Sequence, residues 1–378
     1  MQTIHETLAQ LEAAGNLRRL PHDSEDSPVV DLSSNDYLGL ADDIALREEF
    51  LAGLNVRNFL PTSSASRLLS ARQESYERLE TRLSQLYGRA ALLFNSGYHA
   101  NTGLVSALGG KGTLFVADKL VHASIIDGLT LSGSRFERFR HNDYGHLHRI
   151  IEKNGKDYSR IVILSESVFS MDGDMCDITA LAEAKRLHPN TLLYIDEAHA
   201  VGVLGPQGLG CVAESGMAED VDIVVGTFGK ALASFGAFAI LSPEMREFMV
   251  NRARSLIFST SIPPVVADWS LFMLEHALEM DSEREHLHAL ATKLQAFTHA
   301  PSSLKINGKA SASHIQPLIT GDARRAVELS KELLERGFKV LPIRTPTVPP
   351  GTERLRFSLS AAMPISALDE LVSSGINI

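Results

Sequence analysis

The chain has 378 residues, enough for two or three domains with full cores, and a formal net charge of −10. Its 36 Lys and Arg residues are scattered, whereas nucleic-acid-binding proteins gather them on one face, so we expect no nucleic-acid partner. Two cysteines, Cys176 and Cys211, lack metal-ligand spacing, which argues against a zinc site or a disulfide framework and predicts a reducing cytoplasm.

The first predicted element is a short amphipathic helix in residues 1–20, because Leu8, Leu11 and Leu17 recur among polar residues. This stretch lacks the continuous apolar core of a signal peptide. Further along, residues 74–88 carry leucines at spacings of three and four and end at Gly88, as helices commonly do. Another helix is predicted after Asp177, which is placed to cap its first turn.

Five near-continuous apolar runs alternate with these helical patterns and predict strands that are covered on both faces of a parallel sheet. Their sequences are ALLF (91–94), TLFVAD (113–118), RIVILSE (160–166), TLLYID (191–196) and DIVVGT (222–227). The alternation of strands and helices predicts a doubly wound, mainly parallel α/β domain.

The apolar run at 223–241 could be mistaken for a membrane span, because Lys230 is its single charged residue. A lysine near the middle of a bilayer costs about 2.5–3.5 kcal/mol, and glycines interrupt the run. We therefore expect a buried strand, a cofactor-binding turn and a second strand here, and no membrane association.

After residue 243 the pattern changes, first to helices and then to a smaller set of strands and helices. This change predicts a C-terminal α+β domain. We predict three parts: residues 1–44 as an N-terminal helix and segment, 45–260 as the large α/β domain, and 261–378 as the small C-terminal domain.

Polar side chains follow each predicted strand, and ligands of open α/β sheets bind at the carboxyl ends of strands. A glycine turn, NSGYHANTG, follows the first strand and opens a helix, which suits the binding of a phosphate. The groups that follow the other four strands are His122, then Ser170, then Asp196 with His199, then Thr227 with Lys230. We expect all of them at one edge of the sheet.

This set of residues suits pyridoxal 5'-phosphate (PLP), which needs a lysine for a Schiff base and an acid opposite its ring nitrogen. Lys230 would be that lysine, and Asp196 would hold the ring-nitrogen proton. His199 could reach the phenolic oxygen of the ring, and His122 could stack on its face. Taken alone, a strand-end Asp is more often a cap and a lone His is more often structural. The coincidence of five strands favours the cofactor hypothesis.

The four letters DEAH at 196–199 also form the Mg-ATP box of a helicase class. That alternative requires a phosphate loop of the form G-x-x-x-x-G-K-[ST]. The nearest matches fail, since GTFGKA is too short between its glycines and ALGGKGT lacks the first glycine. The helicase hypothesis is therefore rejected.

The chain resembles the α-oxoamine synthases over nearly its whole length. The motifs that carry the resemblance are SSNDYLGL (33–40), HASIIDG (122–128), HND (141–143), SVFSMDGD (167–174), DEAHAVGVLGPQGLG (196–210), TFGKA (227–231), FSTSIPP (258–264) and PTVPPGTERLRFSLSA (346–361). The resemblance implies the PLP fold type I, like that of aspartate aminotransferase. It also implies an enzyme that joins an amino acid to an acyl-CoA with loss of CO2.

The resemblance assigns roles to individual residues. Lys230, Asp196 and His122 match the catalytic residues, and the cofactor contacts are matched by Gly97, Tyr98, His122, Ser170, Asp196, His199, Thr227, Lys230 and Thr260. Thr260 would reach the phosphate from a neighbouring subunit, which implies a homodimer with shared active sites. Asn35 and Arg356 resemble a clamp for the amino-acid carboxylate, a task that a fork-shaped guanidinium suits. Arg18 and Thr347 fall where the acyl substrate binds.

The expected substrates are L-alanine and pimeloyl-CoA, or a pimeloyl group on a carrier thioester. Relatives that use glycine with acetyl- or succinyl-CoA share the same catalytic groups and are the main alternative; an aminotransferase is a more distant one.

Two segments depart from the family pattern. Residues 60–73 replace a glycine-rich loop, and ALASFGAF (231–238) replaces the small residues usual after the lysine. Both lie where the acyl chain or the neighbouring subunit could pack.

Overall fold

The structure is a computed structural model that describes residues 3–20, 29–298, 304–306, 309–311 and 313–373. Its Cα packing forms two compact units. The larger unit contains Leu38–Phe169 and Met175–Ser282, and the smaller contains the described parts of Met1–Tyr37, Ser170–Asp174 and Glu283–Ile378. This grouping by contacts differs from our three-part division at residues 44 and 260, which stays a prediction about domain organisation.

The described residues form the following strands and helices. The strands are β1 Val30–Asp31, β2 Ala90–Phe94, β3 Thr113–Asp118, β4 Arg135–Phe139, β5 Arg160–Glu166, β6 Thr191–Asp196, β7 Ile223–Thr227, β8 Ala237–Leu241, β9 Leu304–Ile306, β10 Lys309–Ser311, β11 Ile315–Ile319, β12 Phe338–Lys339, β13 Leu341–Ile343 and β14 Arg354–Ser358. The helices are α1 Ile4–Ala13, α2 Ile44–Ala52, α3 Glu74–Tyr87, α4 Gly97–Leu108, α5 Ala123–Ser132, α6 Tyr144–Asn154, α7 Ile178–Arg186, α8 Cys211–Ser215, α9 Pro243–Arg252, α10 Arg254–Ile257, α11 Pro264–Leu278, α12 Asp281–Thr298, α13 Ala323–Glu335 and α14 Ile365–Ser373.

The larger unit is built on a seven-stranded sheet in the order β2-β8-β7-β6-β5-β3-β4. Its strands are parallel to one another except β8, which runs antiparallel to both neighbours. All the residues of β3, β7 and β8 are buried, as expected for strands that are covered on both faces. The predicted doubly wound, mainly parallel sheet is confirmed.

Strand β4 lies at one edge of this sheet and was not among the predicted strands. Its sequence RFERF places two arginines and a glutamate among aromatic residues, and three of its five residues are exposed. Edge strands commonly carry charges that discourage pairing with other chains. A search for apolar runs therefore cannot find this strand.

Two predicted helix boundaries are confirmed. Gly88 follows α3 with a left-handed φ of 67°, which a glycine adopts without a steric penalty. At α7, the Asp177 side chain accepts a hydrogen bond from the backbone N–H of Ala180, the interaction of an N-cap.

The smaller unit contains an antiparallel sheet in the order β11-β14-β13 and a parallel pair of β1 with β12. The segment Ser170–Asp174 belongs to this unit although its neighbours in sequence belong to the other one. At Gly173, which has a φ of +68°, a Cβ would come within 2.0 Å of the Ile315 carbonyl oxygen. Only glycine allows this approach of the segment to β11.

Residues 60–73 and 231–238, the two segments expected to depart from the family pattern, each contain a non-glycine residue in the left-handed region. Ser64 has a φ of 54° and Ala233 a φ of 42°. This conformation costs an L-residue roughly 1–2 kcal/mol, because Cβ approaches the following carbonyl oxygen. At both places, a residue with a side chain therefore adopts a backbone conformation that favours glycine.

The helices of the described residues were compared with the length and hydropathy that a bilayer requires. None of them is both long and apolar enough to cross a membrane.

Candidate active site

Lys230 lies on a turn between the antiparallel strands β7 and β8. Thr227 ties the two ends of this turn together, since its Oγ1 donates to the Gly236 carbonyl at 3.0 Å and accepts from the Gly229 N–H at 3.1 Å. Nζ of Lys230 lies 2.7 Å from Nε2 of His199. Two of the predicted cofactor residues are thus in direct contact, and Thr227 shapes the turn that presents Lys230.

Asp196 ends β6 and is buried. Its Oδ1 accepts a hydrogen bond from the Ala198 N–H at 2.9 Å, and its Oδ2 accepts one from Nδ2 of Asn101 at 2.7 Å. An ionised carboxylate has about four acceptor sites. Asp196 therefore has capacity for a further donor, as holding the protonated ring nitrogen of PLP requires.

Glu197, the second residue of the DEAH motif, contacts the backbone of a neighbouring segment and so has a structural role. Its buried Oε1 accepts hydrogen bonds from the N–H groups of Cys211 and Val212, at 2.7 and 3.1 Å. Burial raises the pKa of Glu197 to about 7. A Cβ at Gly210, which has a φ of +99°, would lie 2.3 Å from Oε2 of Glu197. The carboxyl group thus anchors the glycine-containing segment that follows the DEAH motif.

His122 precedes α5 and is exposed, which leaves its imidazole face open to a planar ligand. Its Nδ1 lies 2.7 Å from Oγ of Ser124. Ser124 is fully buried, and its Oγ accepts a hydrogen bond from Nδ2 of Asn101 at 2.9 Å. His122 and Asp196 are therefore connected through two residues that the sequence analysis did not single out.

A second acid at the site was also missed. Glu166 ends β5 directly beside Asp196 in the strand register, is buried, and accepts a hydrogen bond from the backbone N–H of His122. Burial, followed by the charge of Asp196, raises the pKa of Glu166 well above its ordinary value. The position of Glu166 at the end of the predicted strand RIVILSE is the sequence signal that identifies it.

We expect Glu166 to act as an uncharged hydrogen-bond acceptor. Glu166→Gln, which keeps the shape and the acceptor oxygen, should then stay within about threefold of wild-type turnover. Glu166→Ala leaves the His122 N–H without its acceptor, which costs about 1–3 kcal/mol, and should lower the melting temperature and the turnover together. Steady-state rates and thermal unfolding of both variants test this. Equal damage in the two variants would mean that the ionised carboxylate is required.

The beginning of α4 is suited to the cofactor phosphate. Ser96 caps the helix, and a Cβ at Gly97 would meet nothing within 4 Å, so there is open space beside the first residue of the helix. The N–H groups of the first turn of a helix favour an anion. Tyr98 follows, with its hydroxyl donating to Asp127. Thr260 lies beside this turn in the same chain, since its carbonyl accepts from Nδ2 of Asn95 at 2.6 Å. Its contact with a neighbouring subunit's cofactor stays a prediction.

In the smaller unit, the structure brings Asn35 and Arg356 together. The buried Arg356 donates from Nη2 to Oδ1 of Asn35 at 3.2 Å and to the Tyr37 hydroxyl at 3.3 Å, and from Nε to the Ser170 carbonyl at 2.6 Å. All three acceptors are neutral, and no ion pair of Arg356 occurs among the described residues. Burying an unpaired charge is costly. This guanidinium is therefore suited to receive a carboxylate.

Arg18 and Thr347, the predicted acyl-substrate residues, are also in contact: Nη2 of Arg18 donates to Oγ1 of Thr347 at 2.8 Å. Arg344 lies near them and was missed. It donates to the Gly15 carbonyl, and partial burial together with the nearby charge of Arg18 lowers its pKa. Two guanidinium groups that bind neutral acceptors close together favour an anion.

The two sets of predicted residues therefore lie in different units. Lys230, His199, Asp196, His122, Thr227, Gly97, Tyr98 and Thr260 are in the larger unit, and Arg18, Asn35, Ser170, Thr347 and Arg356 are in the smaller one. For Ser170, the observed contact is made by its carbonyl with Arg356, and its role toward the cofactor stays a prediction.

Comparison with known proteins shows what this arrangement resembles. Residues 27–374 match the model of the class I and II aminotransferase family. A protein of Pasteurella multocida (strain Pm70), provisionally named 8-amino-7-oxononanoate synthase, is 45% identical over 375 residues, which cover 97% of this chain and 96% of that protein. A protein of Neisseria meningitidis (strain Z2491) with the same provisional name is 44% identical over 374 residues, covering 96% of this chain and 97% of that protein.

Solved structures give the same picture. Serine palmitoyltransferase of Sphingomonas wittichii superposes with a TM-score of 0.82 at 30% identity, over 91% of this chain and 86% of that one. The 8-amino-7-oxononanoate synthase of Francisella tularensis gives a TM-score of 0.76 at 27% identity, over 92% of this chain and 98% of that one.

Proposed function

Because the chain belongs to the class I and II aminotransferase family, in its α-oxoamine synthase branch of PLP-dependent acyltransferases, we propose that it condenses L-alanine with a pimeloyl thioester. The thioester is pimeloyl-CoA or pimeloyl on a carrier. A bond forms between the α-carbon of alanine and the thioester carbonyl, the thiol and CO2 leave, and 8-amino-7-oxononanoate results. Relatives that match nearly the whole chain carry the provisional name of the synthase that makes this product, an enzyme of biotin biosynthesis, and these names support this choice.

PLP supplies an aldehyde that links to an amine and a ring that withdraws electrons from the α-carbon. We propose that Lys230 provides the amine for attachment in the resting enzyme and afterwards takes the proton from the α-carbon of alanine. His199, at 2.7 Å, hydrogen bonds to the Lys230 amine and orients it. Asp196 would hold the proton of the ring nitrogen, and His122 would cover one face of the ring.

The buried Arg356 is the observation that carries the choice of an amino-acid substrate. Its neutral partners Asn35, Tyr37 and Ser170 leave its charge without a carboxylate among the described residues. We propose that the carboxylate of alanine completes this site, with Arg356 providing a planar, charged donor and Asn35 holding the guanidinium in place.

The paired guanidinium groups of Arg18 and Arg344 support a dicarboxylic acyl group. A pimeloyl chain ends in a carboxylate, whereas acetyl has no charge at its far end. Burial, followed by the charge of Arg18, lowers the pKa of Arg344. An anion placed between the two arginines would relieve their mutual repulsion. Thr347 orients Arg18 for this contact.

A panel of amino acids and thioesters tests the proposed function. Alanine, glycine and serine are each combined with pimeloyl-CoA, succinyl-CoA and acetyl-CoA, while free thiol and CO2 are followed. Alanine with pimeloyl-CoA should turn over fastest. Faster reaction of glycine with acetyl-CoA would overturn the substrate choice. An aminotransferase would release neither thiol nor CO2.

Arg344 should determine the preference for the free acid. Arg344→Gln should raise KM for pimeloyl-CoA by about 10–100-fold, since a hydrogen bond to a charged group contributes about 1.5–3 kcal/mol, while KM for the pimeloyl-CoA methyl ester changes little. Arg19→Gln is the matched control, because Arg19 is exposed and pairs with Glu12. Equal loss with acid and ester would show that Arg344 does not contact the distal carboxylate.

We also propose a cytoplasmic location, which the two buried free thiols Cys176 and Cys211 support. The homodimer with shared active sites, in which Thr260 serves the partner's cofactor, stays a prediction.

A further inference from the structure

We infer that Asn101 is a positioning residue that orients both groups acting on the cofactor ring, the Asp196 carboxylate directly and the His122 imidazole through Ser124. The inference rests on the proposed roles of Asp196 and His122, although not on the choice of acyl donor. Neither Asn101 nor Ser124 belongs to the residues that the sequence analysis assigned to the site.

Both N–H groups and the oxygen of the Asn101 side-chain amide have partners, and the chemistry of these partners determines the orientation of the amide. A carboxylate only accepts, so the NH2 group of Asn101 must face Asp196, at 2.7 Å. The second N–H donates to Ser124 Oγ at 2.9 Å, and Oδ1 accepts from the Tyr194 hydroxyl at 2.6 Å. Turning the amide over would place Oδ1 against the carboxylate and break the hydrogen bond to Asp196, whereas the two hydroxyls can each donate or accept. Asn101 therefore holds Asp196 in one rotamer.

The positions of these partners follow from the secondary structure. Tyr194 and Asp196 are two residues apart on β6, so their side chains leave the sheet on the same face, toward α4. Asn101 is in the second turn of α4 and can contact both. The exposed fractions of Asn101, Ser124, Tyr194 and Asp196 are 1%, 0%, 0% and 5%. Solvent therefore does not replace a lost hydrogen bond here.

The same amide determines how Ser124 meets His122. Because Ser124 Oγ accepts from Asn101, its own hydrogen is free to be donated to His122 Nδ1, at 2.7 Å. The backbone N–H of Ser124 also donates to this nitrogen, at 3.3 Å. Neutral His122 then carries its proton on Nε2. The network thus sets the tautomer as well as the orientation of the ring.

Gly128 explains why Ser124 can reach Asn101. A Cβ at Gly128 would lie 2.9 Å from Cβ of Val105 and 3.1 Å from the carbonyl oxygen of Asn101. The absence of a side chain at Gly128, one turn beyond Ser124, allows α5 to approach α4 closely. Gly128→Ala should push the helices apart and lengthen the Asn101–Ser124 hydrogen bond without touching the cofactor.

The experiment separates the two branches of the network, the direct contact of Asn101 with Asp196 and its contact with His122 through Ser124. Wild type, Asn101→Ala and Ser124→Ala are each loaded with PLP labelled with ¹⁵N in its ring, and the ¹⁵N shift and the Kd for PLP are measured. Asn101→Ala should weaken PLP binding on the order of 10–100-fold and move the shift toward that of an unprotonated ring nitrogen. Ser124→Ala keeps the hydrogen bond between Asn101 and Asp196 and should retain the protonated shift.

The His122 branch is followed in cofactor-free protein with ¹⁵N-labelled histidine. Asn101→Ala, Ser124→Ala and Gly128→Ala should all change the His122 signals, and wild type should show the proton on Nε2. A wild-type ring-nitrogen shift and Kd in Asn101→Ala would overturn the inference. So would Nδ1 protonation of His122 in the wild type.

Folding is checked by the thermal unfolding of each cofactor-free variant. If Asn101→Ala does not fold, Asn101→Ser, whose hydroxyl can still accept from Tyr194, is measured in the same way and with the same two deciding outcomes. None of these readouts depends on turnover. Failure of the proposed condensation therefore leaves this test intact, and failure of this test leaves the condensation unaffected.

Discussion

Lys230→Ala is expected to lower turnover by at least about 10²–10⁴-fold, because the variant loses both the attachment point of the cofactor and the base that we assign to the α-proton. The fold should survive, since Thr227 ties together the two ends of the turn that carries Lys230. Borohydride treatment of wild-type protein followed by peptide mapping should place the reduced cofactor on the peptide that contains Lys230.

Lys111→Ala is the matched control for this experiment, since Lys111 is an exposed lysine of the same unit. It should keep wild-type turnover and the same labelled peptide. Cofactor found on any other lysine of the wild type would refute the assignment of Lys230. Loss of thermal stability in Lys230→Ala without cofactor would instead point to a structural role.

Asp196→Asn is expected to give the second largest loss, at least tenfold in turnover and on the order of 10²–10³-fold. The amide carries no charge, so the reason for the ring nitrogen to remain protonated is removed. Its NH2 group would also replace one of the two oxygens that accept hydrogen bonds from Asn101 and from the Ala198 N–H, so one of these bonds is lost. A tenfold loss corresponds to about 1.4 kcal/mol of activation free energy.

The measurement compares turnover with cofactor content, which absorbance and mass spectrometry give. Asp196→Asn should retain enough PLP to be purified as a coloured protein while its turnover falls. A loss below tenfold would show that Asp196 does not control the ring nitrogen. Loss of all cofactor with wild-type turnover after adding PLP in excess would show a binding role only.

The candidate site could be predicted wherever its residues end strands, because the carboxyl ends of parallel strands meet at one edge. Asp196, His199 and Lys230 were found in this way, and the 2.7 Å contact of Lys230 with His199 agrees with that placement. Glu166 could have been found by the same rule, since it ends β5.

Asn101 and Ser124 could not be found by this rule. Both lie inside helices, where polar residues are common, and their hydrogen bonds join segments 23 and 95 residues apart in sequence. Only the packing of α4 against α5 and β6 brings them together. Arg344 was missed for a similar reason, because its proximity to Arg18 depends on the fold of the smaller unit. The charged edge strand β4 lacked the apolar run on which the prediction of strands depended.

The left-handed Ala233 has a consequence for how the enzyme acquires its cofactor. Replacing it with glycine would relieve roughly 1–2 kcal/mol of steric strain in the folded state. The greater freedom of glycine in the unfolded chain would at the same time lower the free energy of unfolding by about 0.5–1 kcal/mol. Alanine therefore costs little net stability and restricts the conformations that the turn can adopt. The turn is also held by a hydrogen bond from the Ala233 N–H to the Lys230 carbonyl. We expect a newly folded chain to hold its lysine amine ready before PLP arrives, so that capture does not wait for the turn to become ordered.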